Sequence, residues 1–112
     1  MTSTFKDIDN GTPVIGIRDI PRAVTGIEAS GEFASVFLGG KRDMNIKACR
    51  REMVAAAEDL LRSHPAVGAI ILECTNMPPF SLAIQQAVGL PVFDVVTLIK
   101  HAYSAAKQTS YA

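Results

Sequence analysis

Apolar and polar positions follow two rhythms along this chain. The longest apolar run, Val67-Gly68-Ala69-Ile70-Ile71-Leu72, leads into Glu73 and reads as a strand over 67–73 buried on both faces, as in parallel sheets. It breaks into Cys74-Thr75-Asn76-Met77-Pro78-Pro79. Before it, Ile46, Cys49, Met53, Ala56 and Leu60 recur at spacings of 3 and 4, which predicts a helix over about 44–63. Asp43 is its expected N-cap and His64-Pro65 its stop. Glu58 and Arg62 form an i,i+4 pair in the favoured order. After the break, a helix runs from Pro79 to about Val88. Leu82, Ile84, Ala87 and Val88 form its buried side, and Gly89 is its stop. Leu90 to Asp94 reads as the last strand. Residues 95–107 read as the last helix, with Val96, Ile99 and Tyr103 on one face.

The N-terminal third is less regular. Residues 1–12 are polar and contain the turn signal Asn10-Gly11. Pro13 to Ile17 and Ala23 to Ile27 each read as a short strand, separated by a break at Asp19-Ile20-Pro21. Ser30 is placed to cap a short helix that carries Glu32 in its first turn and Phe33, Val36 and Phe37 on one face, ending at Gly39-Gly40. Alternating strands and helices imply right-handed crossovers and a parallel sheet. The expected fold is therefore α/β, a three-layer sandwich around a small parallel sheet of three or four strands. It forms one domain over 1–112, with 1–12 and 108–112 flexible. About four helices cover such a sheet thinly, and self-association, as a homodimer, is the usual remedy.

Composition narrows the function. Eleven Lys and Arg balance eleven Asp and Glu, so no basic excess points to nucleic acid. No apolar run approaches the ~20 residues of a membrane helix. The start Met1-Thr2-Ser3-Thr4-Phe5-Lys6 lacks an apolar signal core. These features predict a cytoplasmic protein without a membrane partner. Cys49 and Cys74 are the two cysteines, expected reduced and unpaired. His64 and His101 are isolated, and no metal-ligand spacing occurs.

Chemistry concentrates at 73–76. A thiol, a hydroxyl and an amide follow a central strand, at the sheet edge where open α/β folds bind ligands. The following helix aims its positive dipole end at the same place. Cys74 is the candidate catalytic acid–base, moving a proton at the carbon next to a carboxylate. Its bland alternative is a small packed hydrophobe. Thr75 and Asn76 are candidate donors to a substrate carboxylate, or simply turn formers. Glu73 either tunes Cys74 or faces water. Asp94, on the same sheet edge, lines the pocket or caps the last helix. Cys49 belongs to the apolar stripe of the long helix. His64 closes that helix, and His101 is expected at the surface.

The run Leu72-Glu73-Cys74-Thr75-Asn76-Met77-Pro78-Pro79, with Gly89-Leu90-Pro91-Val92-Phe93-Asp94 after it, resembles the second half of the aspartate/glutamate/hydantoin racemase superfamily, from about Ile20 to Tyr103. That resemblance implies a cofactor-independent amino-acid racemase, an isomerase using two cysteine thiols on opposite faces of one carbon, with the Cys-Thr pair holding the substrate carboxylate. This chain has one such thiol. The resemblance therefore implies that activity needs a partner half or a two-fold homodimer bringing two Cys74 side chains together. Related decarboxylases keep a single cysteine. The alternative is a non-catalytic remnant or binding domain of a truncated racemase or decarboxylase.

Overall fold

A computed structural model describes residues 20–111 of the chain. The predicted strand at Pro13–Ile17 and the flexible start at 1–12 fall outside these residues. The described elements are α1 (Glu32–Phe37), α2 (Ile46–Ser63), β1 (Ile70–Ile71), a 3-10 turn (Pro78–Phe80), α3 (Ser81–Val88), β2 (Val92–Phe93) and α4 (Val95–Ala106). Residues 108–111 follow α4 without regular structure.

β1 and β2 pair in parallel, Ile70 beside Val92 and Ile71 beside Phe93. The Ile70 and Leu72 amides donate to the carbonyls of Pro91 (2.9 Å) and Phe93 (2.8 Å). The chain is thus a mix of helices around a small parallel sheet, as an α/β fold requires. Among the described residues the sheet has two strands, not the three or four expected. Residues 23–27 carry no ladder. Ile27 of this segment instead lines, with Met53, Ala57 and Ile70, a largely apolar groove of about 650 Å³.

The core lies on one side of the sheet. Phe33 from α1, Cys49, Met53 and Ala57 from α2, Ile70, Met77, Phe80 and Ile84 form one buried cluster. Burying each of its large side chains is worth about 2 kcal/mol. Phe80 meets Phe33 edge-on, with ring centroids 6.3 Å apart. The buried stripe of α2 is Cys49, Met53 and Ala57 rather than the predicted series: Ile46 is exposed, and Ala56 and Leu60 are half-buried. In α3 only Ile84 is fully buried, and Leu82, expected inside, faces out.

The opposite side of the sheet is bare. Alternation along a strand sends neighbouring side chains to opposite faces. Ile70 is 6% exposed, but Ile71 is 68% exposed and its register partner Phe93 52%. The expectation of a strand buried on both faces thus holds for one face. No residue of α4 is buried, and Leu98, Ile99 and Tyr103 are all open.

Caps differ from expectation in instructive ways. Asn45, not Asp43, caps α2, its Oδ1 accepting the Ala48 N–H at 3.0 Å. Ser30 does not cap α1. The N-cap there is Gly31, and the donors of the first turn go to Glu52 on α2. Arg62 pairs with Asp59 rather than Glu58. Gly89 ends α3 at φ 68°, a left-handed conformation that suits glycine. Among the described residues, no helix is long and apolar enough to cross a membrane.

Candidate functional site

Both strands end at the same edge of the sheet. Beyond β1 come Glu73, Cys74, Thr75 and Asn76; beyond β2 come Asp94 and the first turn of α4. A groove of about 600 Å³ opens there, on the bare face. Its floor is apolar, from Ile71, Phe93, Val95 and Leu98. Its polar groups are Glu73, Thr75, Asp94, Thr97 and His101.

Thr75 and Glu73 therefore lie where the sequence placed them, at the pocket edge. Asn76 is exposed and does not line the groove. Cys74 sits between the two groove residues, half-buried and packed against the core cluster, and its carbonyl accepts the Met77 N–H at 3.1 Å. Cys49, by contrast, is fully buried, and burial, with Glu52 and Glu32 nearby, pushes its thiol above the ordinary value of 9.0. Both thiols are free.

The expected anion-binding helix end is weaker than the sequence suggests. Pro78 and Pro79 have no N–H. The Met77 N–H is held by Cys74, and the Phe80 N–H goes back to the Met77 carbonyl at 2.9 Å. The donors nearest Cys74 are thus largely removed or occupied.

Asp94 does both things its position allows. It borders the groove and caps α4 through a capping box: Oδ1 accepts the Thr97 N–H at 2.8 Å, while the Asp94 N–H donates to Thr97 Oγ1 at 2.9 Å. The Ser81 hydroxyl donates to Oδ2 at 2.5 Å, tying α3 to α4. Burial alone would raise this carboxyl. Hydrogen bonds from Ser81 and from the Thr97 and Val96 amides, with Lys100 nearby, outweigh that and hold it below its ordinary 3.8.

Glu73 is the converse case. The residue is exposed, yet its carboxyl stands at the joint of two grooves, where desolvation raises it above its ordinary 4.5. Among the described residues its carboxylate has no hydrogen-bond or ion-pair partner. The sequence reading missed His101 in this site. Its signal was spacing: Asp94, Leu98 and His101 lie four and three apart, two helical turns on one face. Among the described residues, no group of three or more His, Cys, Asp or Glu is arranged to hold a metal ion.

A parallel strand pair with a polar-rimmed groove at its carboxyl edge is the ligand-site geometry of α/β enzymes. Comparison with known proteins corrects the expected family. No protein-family model matches the chain, and no solved structure does. Curated proteins do. The chain is 43% identical over 44 residues to a dimethylsulfoniopropionate lyase of Durusdinium sp. clade D, covering 39% of this chain and 15% of that protein. It is 40% identical over 53 residues to dimethylsulfoniopropionate lyase 5 of Emiliania huxleyi (strain CCMP1516), covering 47% and 10%. It is 34% identical over 89 residues to dimethylsulfoniopropionate lyase 7 of the same organism, covering 75% and 22%. The chain thus matches roughly a tenth to a fifth of the length of these relatives. They are named as lyases, not racemases. The expected membership of the racemase superfamily, and with it the amino-acid racemase or isomerase activity and its remnant alternative, is overturned by these matches.

Proposed function

We propose that this chain carries part of a lyase site for dimethylsulfoniopropionate or a close β-sulfonio carboxylate. The reaction is a β-elimination. The Cys74 thiolate removes a proton from the carbon next to the carboxylate. The C–H electron pair becomes the new carbon–carbon double bond, the carbon–sulfur bond breaks, and its pair leaves with dimethyl sulfide, giving acrylate. The proton then passes from the thiol to water. Charge and electrons balance without an oxidant, a reductant or a co-reactant, so the step calls for no cofactor.

Thr75 donates to the carboxylate and stabilises the negative charge that builds there as the proton leaves. Asp94 is a positioning residue, fixing α4 and Ser81 rather than touching the reacting carbon. Glu73 sets the local field. The observation that carries this reading is the position of Cys74 at the carboxyl edge of the parallel pair, between the groove residues Glu73 and Thr75, in a chain similar to named lyases. The same reading extends to architecture: a three-layer sandwich whose bare layer is closed by a second copy, packing the exposed Val96, Ile99 and Tyr103 of α4 across a two-fold axis.

The test is dimethyl sulfide release from dimethylsulfoniopropionate by the full chain, read by headspace gas chromatography, with acrylate read by proton NMR. Release that disappears in Cys74→Ser and persists in Cys49→Ala supports the reading. No release from the parent chain, or release unchanged in Cys74→Ser, overturns it.

A further inference from the structure

The groove at the sheet edge has an aromatic floor and a carboxylate, Glu73, with no hydrogen-bond or ion-pair partner among the described residues, and these two lie on the same face. Ile71 and Phe93 are register partners on the bare side of the sheet. Strand alternation brings Glu73 to that side as well, about 7 Å beyond Ile71 towards the carboxyl edge. Both Phe93 and Glu73 line the groove. Phe93 is about half exposed and joins neither close aromatic pair of the described residues, Phe33 with Phe37 and Phe33 with Phe80. Neither Arg nor Lys lines this groove. A carboxylate that is partly desolvated and has no cation of its own among the described residues suits a cationic ligand. An exposed aromatic face suits one whose positive charge is spread over methyl groups.

Resting on the lyase reading above, we propose that Phe93 and Glu73 form a cation subsite that takes the dimethylsulfonio end of the substrate, the methyl groups against the ring and the sulfur beside the carboxylate. The Thr75 hydroxyl and the His101 imidazole N–H, which line the same groove, supply donors for the carboxylate end. The zwitterion then lies along the groove, and its central carbons pass the Glu73-Cys74-Thr75 turn. Phe93 and Glu73 decide which carboxylates are accepted: a neutral chain of the same shape loses both the ring and the charge interaction.

The test compares binding of dimethylsulfoniopropionate with that of 4-methylpentanoate, its isostere lacking the sulfonium charge, to the full chain by titration calorimetry and amide NMR shifts. 3-(Trimethylammonio)propionate serves as a second cation with a poorer leaving group. Both cations are expected to bind roughly ten-fold more tightly than that isostere. Phe93→Leu, which keeps an apolar side chain at a half-exposed position, and Glu73→Gln are each expected to shrink that ratio to roughly three-fold or less. A parental ratio near one, no saturable binding of either cation, or a ratio unchanged in both variants overturns the subsite. The lyase reading fails separately: cation preference without dimethyl sulfide release leaves the subsite standing and removes the reaction, whereas release without cation preference does the reverse.

Discussion

Glu52 and Glu32 cap each other's helices. The Glu52 carboxylate, on α2, accepts the main-chain N–H groups of Glu32 (2.6 Å) and Phe33 (3.1 Å) at the start of α1. Glu32 in turn accepts the main-chain N–H of Asn45, the N-cap of α2, at 2.8 Å and an ion pair from Lys41 at 2.7 Å. The Lys41 contact, then the Asn45 amide, holds the Glu32 carboxyl below its ordinary value. Gly31 makes room for the arrangement, since a Cβ there would come within 2.8 Å of the Glu52 carboxylate oxygens. Glu52→Ala should cost about 1–2 kcal/mol, the range of a lost helix cap, read as a shift in the urea midpoint. Gly31→Ala should displace Glu52 and cost a similar amount. An unchanged midpoint in both variants would show the brace to be energetically idle.

Asp94 should make the fold sensitive to acid. Its carboxyl is held below its ordinary 3.8 in the folded chain. A depressed carboxyl contributes stability that is full above the unfolded value and is lost as pH falls through the folded one. Thermal stability should therefore decline below about pH 4, and Asp94→Asn should flatten that decline while lowering stability by about 1 kcal/mol at neutral pH. Circular-dichroism melts from pH 2 to pH 7 check both. Ser81→Ala, which removes one of the bonds, should move the decline to higher pH.

Glu73 should act with the opposite sign. Its carboxyl is raised above 4.5 by desolvation. A raised carboxyl favours folding below the unfolded value, and that contribution is lost as pH rises through the folded one. Glu73→Gln should thus stabilise the chain at neutral pH and remove this part of the pH dependence, while weakening cation binding. A variant that is less stable at neutral pH would show that Glu73 has a structural partner after all.

The two thiols should differ sharply towards a small alkylating reagent. Cys74 is half-buried on a turn, and Cys49 is fully buried in α2. Mass spectrometry should show Cys74 modified under native conditions and Cys49 only on unfolding, with dimethylsulfoniopropionate slowing modification of Cys74. Equal rates would place Cys74 in the core with Cys49.

How legible this was in the sequence depended on where each signal came from. The long helix was readable because 3 and 4 spacing persists over 18 residues, but its start was not: Asp43 and Asn45 are comparable caps, and the choice falls to Asn45, whose own N–H is taken by Glu32. Phe80, only 2% exposed, was missed because the helix read from Pro79 was given Leu82, Ile84, Ala87 and Val88 as its buried side, whereas Pro78 and Pro79 open a 3-10 turn that carries Phe80 into the core. The strand 67–73 was read as buried on both faces because an apolar run looks the same whether its cover lies in this chain or elsewhere. The site was found by composition, since thiol, hydroxyl and carboxylates cluster after a strand. His101 was passed over because helical spacing alone does not say that the face it shares with Asp94 borders a groove. The chemistry next to a carboxylate was readable, but whether a second proton is delivered or a leaving group departs is not written in a Cys-Thr pair.

The self-capping of α4 has an electrostatic consequence. Because Asp94 accepts the Thr97 and Val96 amides, those donors are closed to an arriving anion, and the carboxylates lining the groove are Asp94 and Glu73. The groove therefore sorts ligands by sign before it reads their shape. A zwitterion approaching with its positive end leading is drawn in, a dianion such as a dicarboxylate is turned away, and rising ionic strength slows the first while easing the second.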